Sequence, residues 1–159
     1  MSAAKGRVQV GDFAPDFTLS DQSGGSFHFA DVLGKKNVVL YFYPKDNTRG
    51  CTAEACSFRD SYADLQHAET EVIGVSGDSI ESHQQFASRY QLPFTLLSDS
   101  AGELRKLYGV PSTFGLLPGR VTYVIDRQGI VRHVFSSQFA AAKHVSEALK
   151  ALESLTNPP

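Results

Sequence analysis

The chain has 159 residues, 42% hydrophobic and 20% charged, with a net charge of −2. That suits one globular domain, 1–159 with an ordered core over about 11–155, large enough to need no disulfide or metal staple. It excludes two classes: no basic run interleaved with aromatics offers a nucleic-acid surface, and no apolar stretch approaches the roughly 20 residues of a membrane-spanning helix.

The first residues, Met1-Ser2-Ala3-Ala4-Lys5-Gly6-Arg7, lack the apolar segment of a secretory signal. Two cysteines in an otherwise cysteine-free chain suit a reducing compartment, so the expectation is a cytoplasmic protein. Phe13, Phe17 and Leu19 then alternate with polar residues, and Gly24-Gly25 turns the chain into Phe27-His28-Phe29, which predicts a hairpin. Ala30 to Gly34 reads as a short helical turn closed by glycine. Asp12, Asp16 and Asp21 lack metal-loop spacing and read as turn formers on a solvated face.

The next stretch, 38–65, organises the rest. Val38-Val39-Leu40-Tyr41-Phe42-Tyr43 predicts a strand buried on both faces, ended by Pro44. A polar loop follows, then a helical pattern in which Ala55, Phe58, Tyr62 and Leu65 recur at steps of three and four. Cys51 stands at the joint, in the first turn of that helix. A helix N-terminus offers unpaired N–H groups and the positive end of the macrodipole, both of which favour a thiolate. Open α/β folds also place ligands at the C-terminal ends of strands. Position alone therefore makes Cys51 a nucleophile candidate rather than a packed core cysteine.

Cys56 lies five positions on. In an intact helix that step rises about 7.5 Å and turns about 140°, whereas a disulfide needs Cα atoms within about 7 Å and facing Cβ atoms. Either the two never pair, or pairing melts a turn or two of helix. The C-x4-C spacing fits neither a C-x-x-C dithiol nor a zinc knuckle.

Further along, residues 71–76 read as a second buried strand, and residues 79–91 as a helix N-capped by Ser79. Residues 94–99 read as a short strand, and residues 102–108 as one or two helical turns ended by Gly109. The runs 121–126 and 130–135 flank Arg127-Gln128-Gly129 and predict a hairpin. Residues 141–155 form a closing helix, and Thr156-Asn157-Pro158-Pro159 should fray. This order predicts an α/β fold, a mixed central sheet flanked by helices with an N-terminal hairpin.

Several groups could serve Cys51. Thr48 sits three residues before it with a hydroxyl that donates or accepts, or is simply a cap. Pro44 fixes the start of the loop. Arg120, before the strand at Val121, is a surface arginine or, if packed near Cys51, a permanent charge beside the thiol. Glu54, read as lying on the first turn, would orient that arginine or favour the positive helix end. The histidines, His28, His67, His83, His133 and His144, show no metal spacing and read as solvated or packed, which counts against a Cys–His hydrolase.

Pro44-Lys45-Asp46-Asn47-Thr48-Arg49-Gly50-Cys51 fits the peroxiredoxin active-site pattern P-x-x-x-[TS]-x-x-C. With Phe42-Tyr43-Pro44-Lys45-Asp46, Cys51-Thr52-x-x-x-Cys56 and Leu117-Pro118-Gly119-Arg120-x-Thr122-Tyr123, the chain resembles the peroxiredoxin Q subfamily, also called bacterioferritin comigratory protein. Plant and cyanobacterial members look closest, which would make this a chloroplast protein if it is a processed plant chain. The resemblance implies a thioredoxin-like fold and a peroxidase acting on hydrogen peroxide and organic hydroperoxides. It implies Cys51 as peroxidatic cysteine, Thr48 and Arg120 holding the peroxide oxygens, Pro44 shielding the site and Glu54 supporting Arg120. It implies Cys56 as the resolving cysteine of a Cys51–Cys56 disulfide, thioredoxin or a similar dithiol as reductant, no metal, haem or flavin, and, as in many members, a monomer. Two alternatives stand beside it: a general thiol–disulfide oxidoreductase, and a peroxide-sensing switch whose oxidation unwinds the helix.

Overall fold

The computed structural model of the chain describes residues 7–113 and 117–156. In order come β1 (Thr18–Asp21), β2 (Ser26–His28), a 3-10 turn (Phe29–Asp31), β3 (Asn37–Phe42), α1 (Arg49–Asp60), α2 (Tyr62–His67), β4 (Thr70–Ser76) and α3 (Ile80–Tyr90). Then follow β5 (Thr95–Ser98), α4 (Glu103–Tyr108), β6 (Ser112–Thr113), β7 (Leu117–Pro118), β8 (Val121–Ile125), β9 (Val131–Ser136) and α5 (Ala141–Thr156). Seven strands form one mixed sheet in the order β2-β1-β5-β4-β3-β8-β9. Strands β3, β4 and β5 are parallel across helical crossovers, and the β8–β9 hairpin adds antiparallel to β3.

All six residues of β3 are buried, because both faces of the sheet are covered. The two-residue period splits them. Val38, Leu40 and Phe42 join a core with Leu104 and Tyr108 of α4 and Val8 and Ala14 of the N-terminal segment. Val39 and Tyr41 face the other way, against Ala55 and Phe58 of α1, Phe86 of α3, and Val145 and Ala148 of α5. Phe58 stacks on Tyr41 with ring centroids 4.7 Å apart; each such buried ring contributes roughly 2–3 kcal/mol. Gly74 on β4 leaves the space that ring occupies, since a Cβ there would lie 2.9 Å from Tyr41 Cζ. That packing seats α1 on the end of β3.

The N-terminal hairpin is present, and its β1 also pairs antiparallel with β5, so it closes one side of the sheet. Two expectations need correction. Phe13 lies outside β1, 72% exposed, and only bridges Ile130. The helical pattern after Cys51 breaks at Ser61 (φ −98°, ψ 2°), so Tyr62 and Leu65 belong to α2 although they pack on the same core. The β6–β7 pair had no alternating pattern to announce it. Fraying was expected at the C-terminus; Thr156 closes α5, while residues 157–159 lie outside those described. Asp12, Asp16 and Asp21 do form local turns, accepting from backbone N–H groups nearby. No helix among the described residues is long and apolar enough to cross a membrane.

Candidate active site

The site is built where β3 ends and α1 begins. Thr48 holds the N-cap position in extended conformation (φ −84°, ψ 158°), and its carbonyl accepts from Thr52 N at 2.9 Å. The cap is a backbone one only: the Thr48 hydroxyl donates to Lys45 O at 2.9 Å, which leaves the oxygen's lone pairs to accept. Cys51 is the third residue of α1 and 1% exposed.

Arg120 reaches Cys51 because of register. Strand β8 runs antiparallel to β3 with Val121 opposite Phe42, so the residue before β8 sits beside the residue after β3. Arg120 Nη2 donates to Cys51 Sγ at 3.4 Å, Nη1 donates to Glu54 Oε1 at 2.5 Å, and Nε donates to Gln138 O at 3.2 Å. Burial works against the guanidinium charge, and Glu54 and Cys51 outweigh it, so Arg120 is held charged. That places a fixed cation at the sulfur. Gly50 permits the approach: a Cβ there would lie 3.1 Å from Nη2.

Glu54 corrects an expectation. It lies on the second turn of α1, which has no acidic residue in its first, so it does not serve the positive helix end. It is fully buried, and burial pushes its carboxyl up to about 8 even though Arg120 pulls it down. Its second oxygen has no hydrogen-bond partner among the described residues and lies 3.9 Å from His144 Nδ1.

His144 is a residue sequence reasoning did not single out. It is buried on α5 beneath the site; Nε2 donates to Ser137 O and Nδ1 accepts from the Thr122 hydroxyl, each at 2.8 Å. Burial, with Arg120 nearby, lowers it to about 4, so it stays neutral. Thr122 stands in the quoted motif around Arg120. His144 falls among the apolar positions of α5, where a lone histidine gives no signal.

Pro44, Thr48, Gly50, Arg120, Phe139 and Ala141 line a cavity of about 270 Å³ at the start of α1, and Arg120 joins it to the buried sulfur. Its walls are mostly apolar, and Phe139 on its rim is 91% exposed. A larger hollow of about 700 Å³, beside Asn37 at the far end of β3, holds no cysteine. The structure thus brings Pro44, Thr48, Cys51, Glu54 and Arg120 together. Cys56 is half-buried further along the same unbroken helix, and both cysteines are free. The arrangement offers a buried sulfur nucleophile, a charged donor at the sulfur, a hydroxyl acceptor at the cavity wall and an apolar entrance.

Residues 10–134 match the AhpC/TSA family. Peroxiredoxin Q, chloroplastic, of Triticum aestivum is 52% identical over 94% of this chain and 69% of its own length. The protein of the same name from Sedum lineare is 53% identical over 94% of this chain and 80% of its own length. Among solved structures, peroxidoxin BcpB of Mycobacterium tuberculosis superposes with a TM-score of 0.87 at 35% identity, over 94% of this chain and 99% of its own. A bacterioferritin comigratory protein of Xanthomonas campestris, described through its alkyl peroxide reduction activity, superposes at 0.83 and 26% identity, over 94% and 98%.

Proposed function

The chain belongs to the AhpC/TSA family, within it to peroxiredoxin Q, and is a thiol-dependent peroxidase; from that premise we propose that Cys51 is its peroxidatic residue. The observation that carries this is the Arg120 donor at Cys51 Sγ, itself anchored on buried Glu54. The Cys51 thiolate attacks one oxygen of ROOH. The S–O bond forms, the O–O bond breaks, the departing oxygen takes a proton from solvent and leaves as ROH, and Cys51 is left as a sulfenic acid. Arg120 donates to the peroxide oxygens, and Thr48, its own proton committed to Lys45 O, accepts the hydroperoxide O–H. Pro44 walls the cavity against water, and Glu54 positions Arg120. The apolar walls and rim at Phe139 and Ala141 suit organic hydroperoxides as well as hydrogen peroxide.

Cys56 resolves the sulfenic acid. Its thiol sulfur bonds to Cys51 Sγ with release of water, after α1 opens between them. A dithiol protein of the thioredoxin kind then reduces the disulfide, and the chloroplastic names of the plant relatives support a chloroplast address.

Thiol counting after one equivalent of hydrogen peroxide tests this. Wild type should lose both thiols together, Cys51→Ser none rapidly, and Cys56→Ser should hold a trappable sulfenic acid. A wild-type rate no faster than that of an ordinary free thiol would refute the assignment and favour a general thiol–disulfide oxidoreductase.

A further inference from the structure

Of the side chains between Pro44 and Gly50, in the loop that carries Thr48, only that of Asp46 is buried; Lys45, Asn47, Thr48 and Arg49 are exposed. Apolar burial therefore does not hold this loop, and its shape depends on what Asp46 binds. The Asp46 N–H donates to Asp78 Oδ2 at 2.8 Å. Its Oδ1 accepts from the Tyr43 hydroxyl at 2.6 Å, and its Oδ2 accepts from the Ser82 hydroxyl at 2.8 Å and lies 2.7 Å from His83 Nδ1. His83 is fully buried, and its Nε2 lies 2.9 Å from Leu97 O. A carbonyl only accepts, so Nε2 carries a proton, and a second proton lies between Nδ1 and Oδ2.

Two carboxylates, Asp46 and Asp78, face one another here, with Tyr43 from the end of β3 and His83 from α3. Their ligand atoms lie close enough for a metal, all within 4.8 Å. Each is already committed: Asp78 Oδ2 accepts from the Ser76 hydroxyl and Asp46 N, and Asp46 Oδ2 is held by the Ser82 hydroxyl and His83 Nδ1. The ring fastens α3 and β5 to the loop that carries Thr48. Asn47 follows in the left-handed region (φ 63°), turning the chain so that Thr48 enters the cavity wall.

We infer that Asp46 and His83 act as one positioning pair for the peroxidatic loop, setting where the Thr48 hydroxyl stands relative to Cys51. Neither touches the peroxide. The inference rests on the peroxidase reading of Cys51.

The test compares wild type, Asp46→Asn, His83→Gln and the double variant. Two rates are measured on each: the single-turnover reaction of Cys51 with hydrogen peroxide, and its alkylation by iodoacetamide across pH. Alkylation needs only the thiolate, whereas peroxide reduction also needs the aligned hydroxyl. Each single variant should lose about 10- to 100-fold in the peroxide rate, the cost typical of a small misplacement. The double should lose no more than the worse single, and the pH profile of alkylation should stay put. A proton signal downfield of the amide region, from the proton shared by His83 and Asp46, should vanish in either single variant. Variants reacting at the wild-type rate, or a double loss equal to the product of the singles, would overturn the pairing. Where His83→Gln does not fold, Ser82→Ala removes one hydrogen bond to Asp46 from a half-buried position. It should slow the peroxide step by about 3- to 10-fold, and a wild-type rate there overturns the inference equally. A slow wild type would instead sink the peroxidase reading, and the inference with it.

Discussion

Gly50 has no side chain, and that absence is what brings Arg120 to the sulfur: a Cβ would meet Nη2 at 3.1 Å. Alanine is nonetheless the better helix former by about 1 kcal/mol. Gly50→Ala is therefore expected to melt no lower than wild type while its peroxide step slows about tenfold as the guanidinium shifts. Thermal melts run beside stopped-flow rates check this. An unchanged rate would mean that the guanidinium yields without leaving Sγ. At this scale a residue's placement is legible where it follows from its neighbours in the chain. Cys51 and Thr48 belong to one loop and one helix start, so their placement was legible. Glu54 was left with two readings because helical phase near an N-terminus depends on where the helix begins. The start at Arg49 puts Glu54 on the second turn and inside.

Helix α1 carries both cysteines, and its intact backbone keeps them apart. Its first turn rests on few groups, the Thr52 N–H to Thr48 O bond and the buried Cys51, whereas the last turns are pinned by Phe58 in the core. Opening is thus expected at the N-terminal end, with Phe58 left in place. One equivalent of peroxide should speed amide exchange at residues 51–56 and lower the helical signal by about two turns, on the order of seven residues. Cys56→Ser should form the sulfenic acid with no such change. Peptide-resolved hydrogen exchange reads both, and a disulfide formed with α1 still protected would refute an opening step. The start of α1 was legible from Pro44, the polar loop and the apolar period. The break at Ser61 was not, because Tyr62 and Leu65 keep the same period on either side of it.

Across the whole molecule, helices α1 and α5 meet strand β8 over a buried polar layer of Arg120, Glu54, Thr122 and His144. His144 titrates at about 6.5 when unfolded and is lowered to about 4 in the fold, chiefly by burial. Its contribution is therefore complete above about 6.5 and is lost as pH falls through 4, by up to about 3 kcal/mol. Glu54, raised from 4.5 to about 8 by burial, slopes the other way: its contribution is full below 4.5 and is lost as pH rises through 8. His144→Gln keeps a donor and an acceptor without the titration, so its melting temperature should fall less than that of wild type between pH 7 and pH 4. Equal slopes in the two proteins would place the acid sensitivity elsewhere. The sequence by itself determined the main strands and helices, their order and the cysteine at the helix start, because hydrophobic period, proline, glycine and capping chemistry act over a few neighbouring residues. Tertiary structure alone decided that Arg120, 69 residues from Cys51, reaches its sulfur. It also decided that β1 joins β5, and that His83 and His144 are buried partners of Asp46 and of Thr122. Those meetings depend on strand register and on which faces the crossovers cover, and no local pattern encodes either.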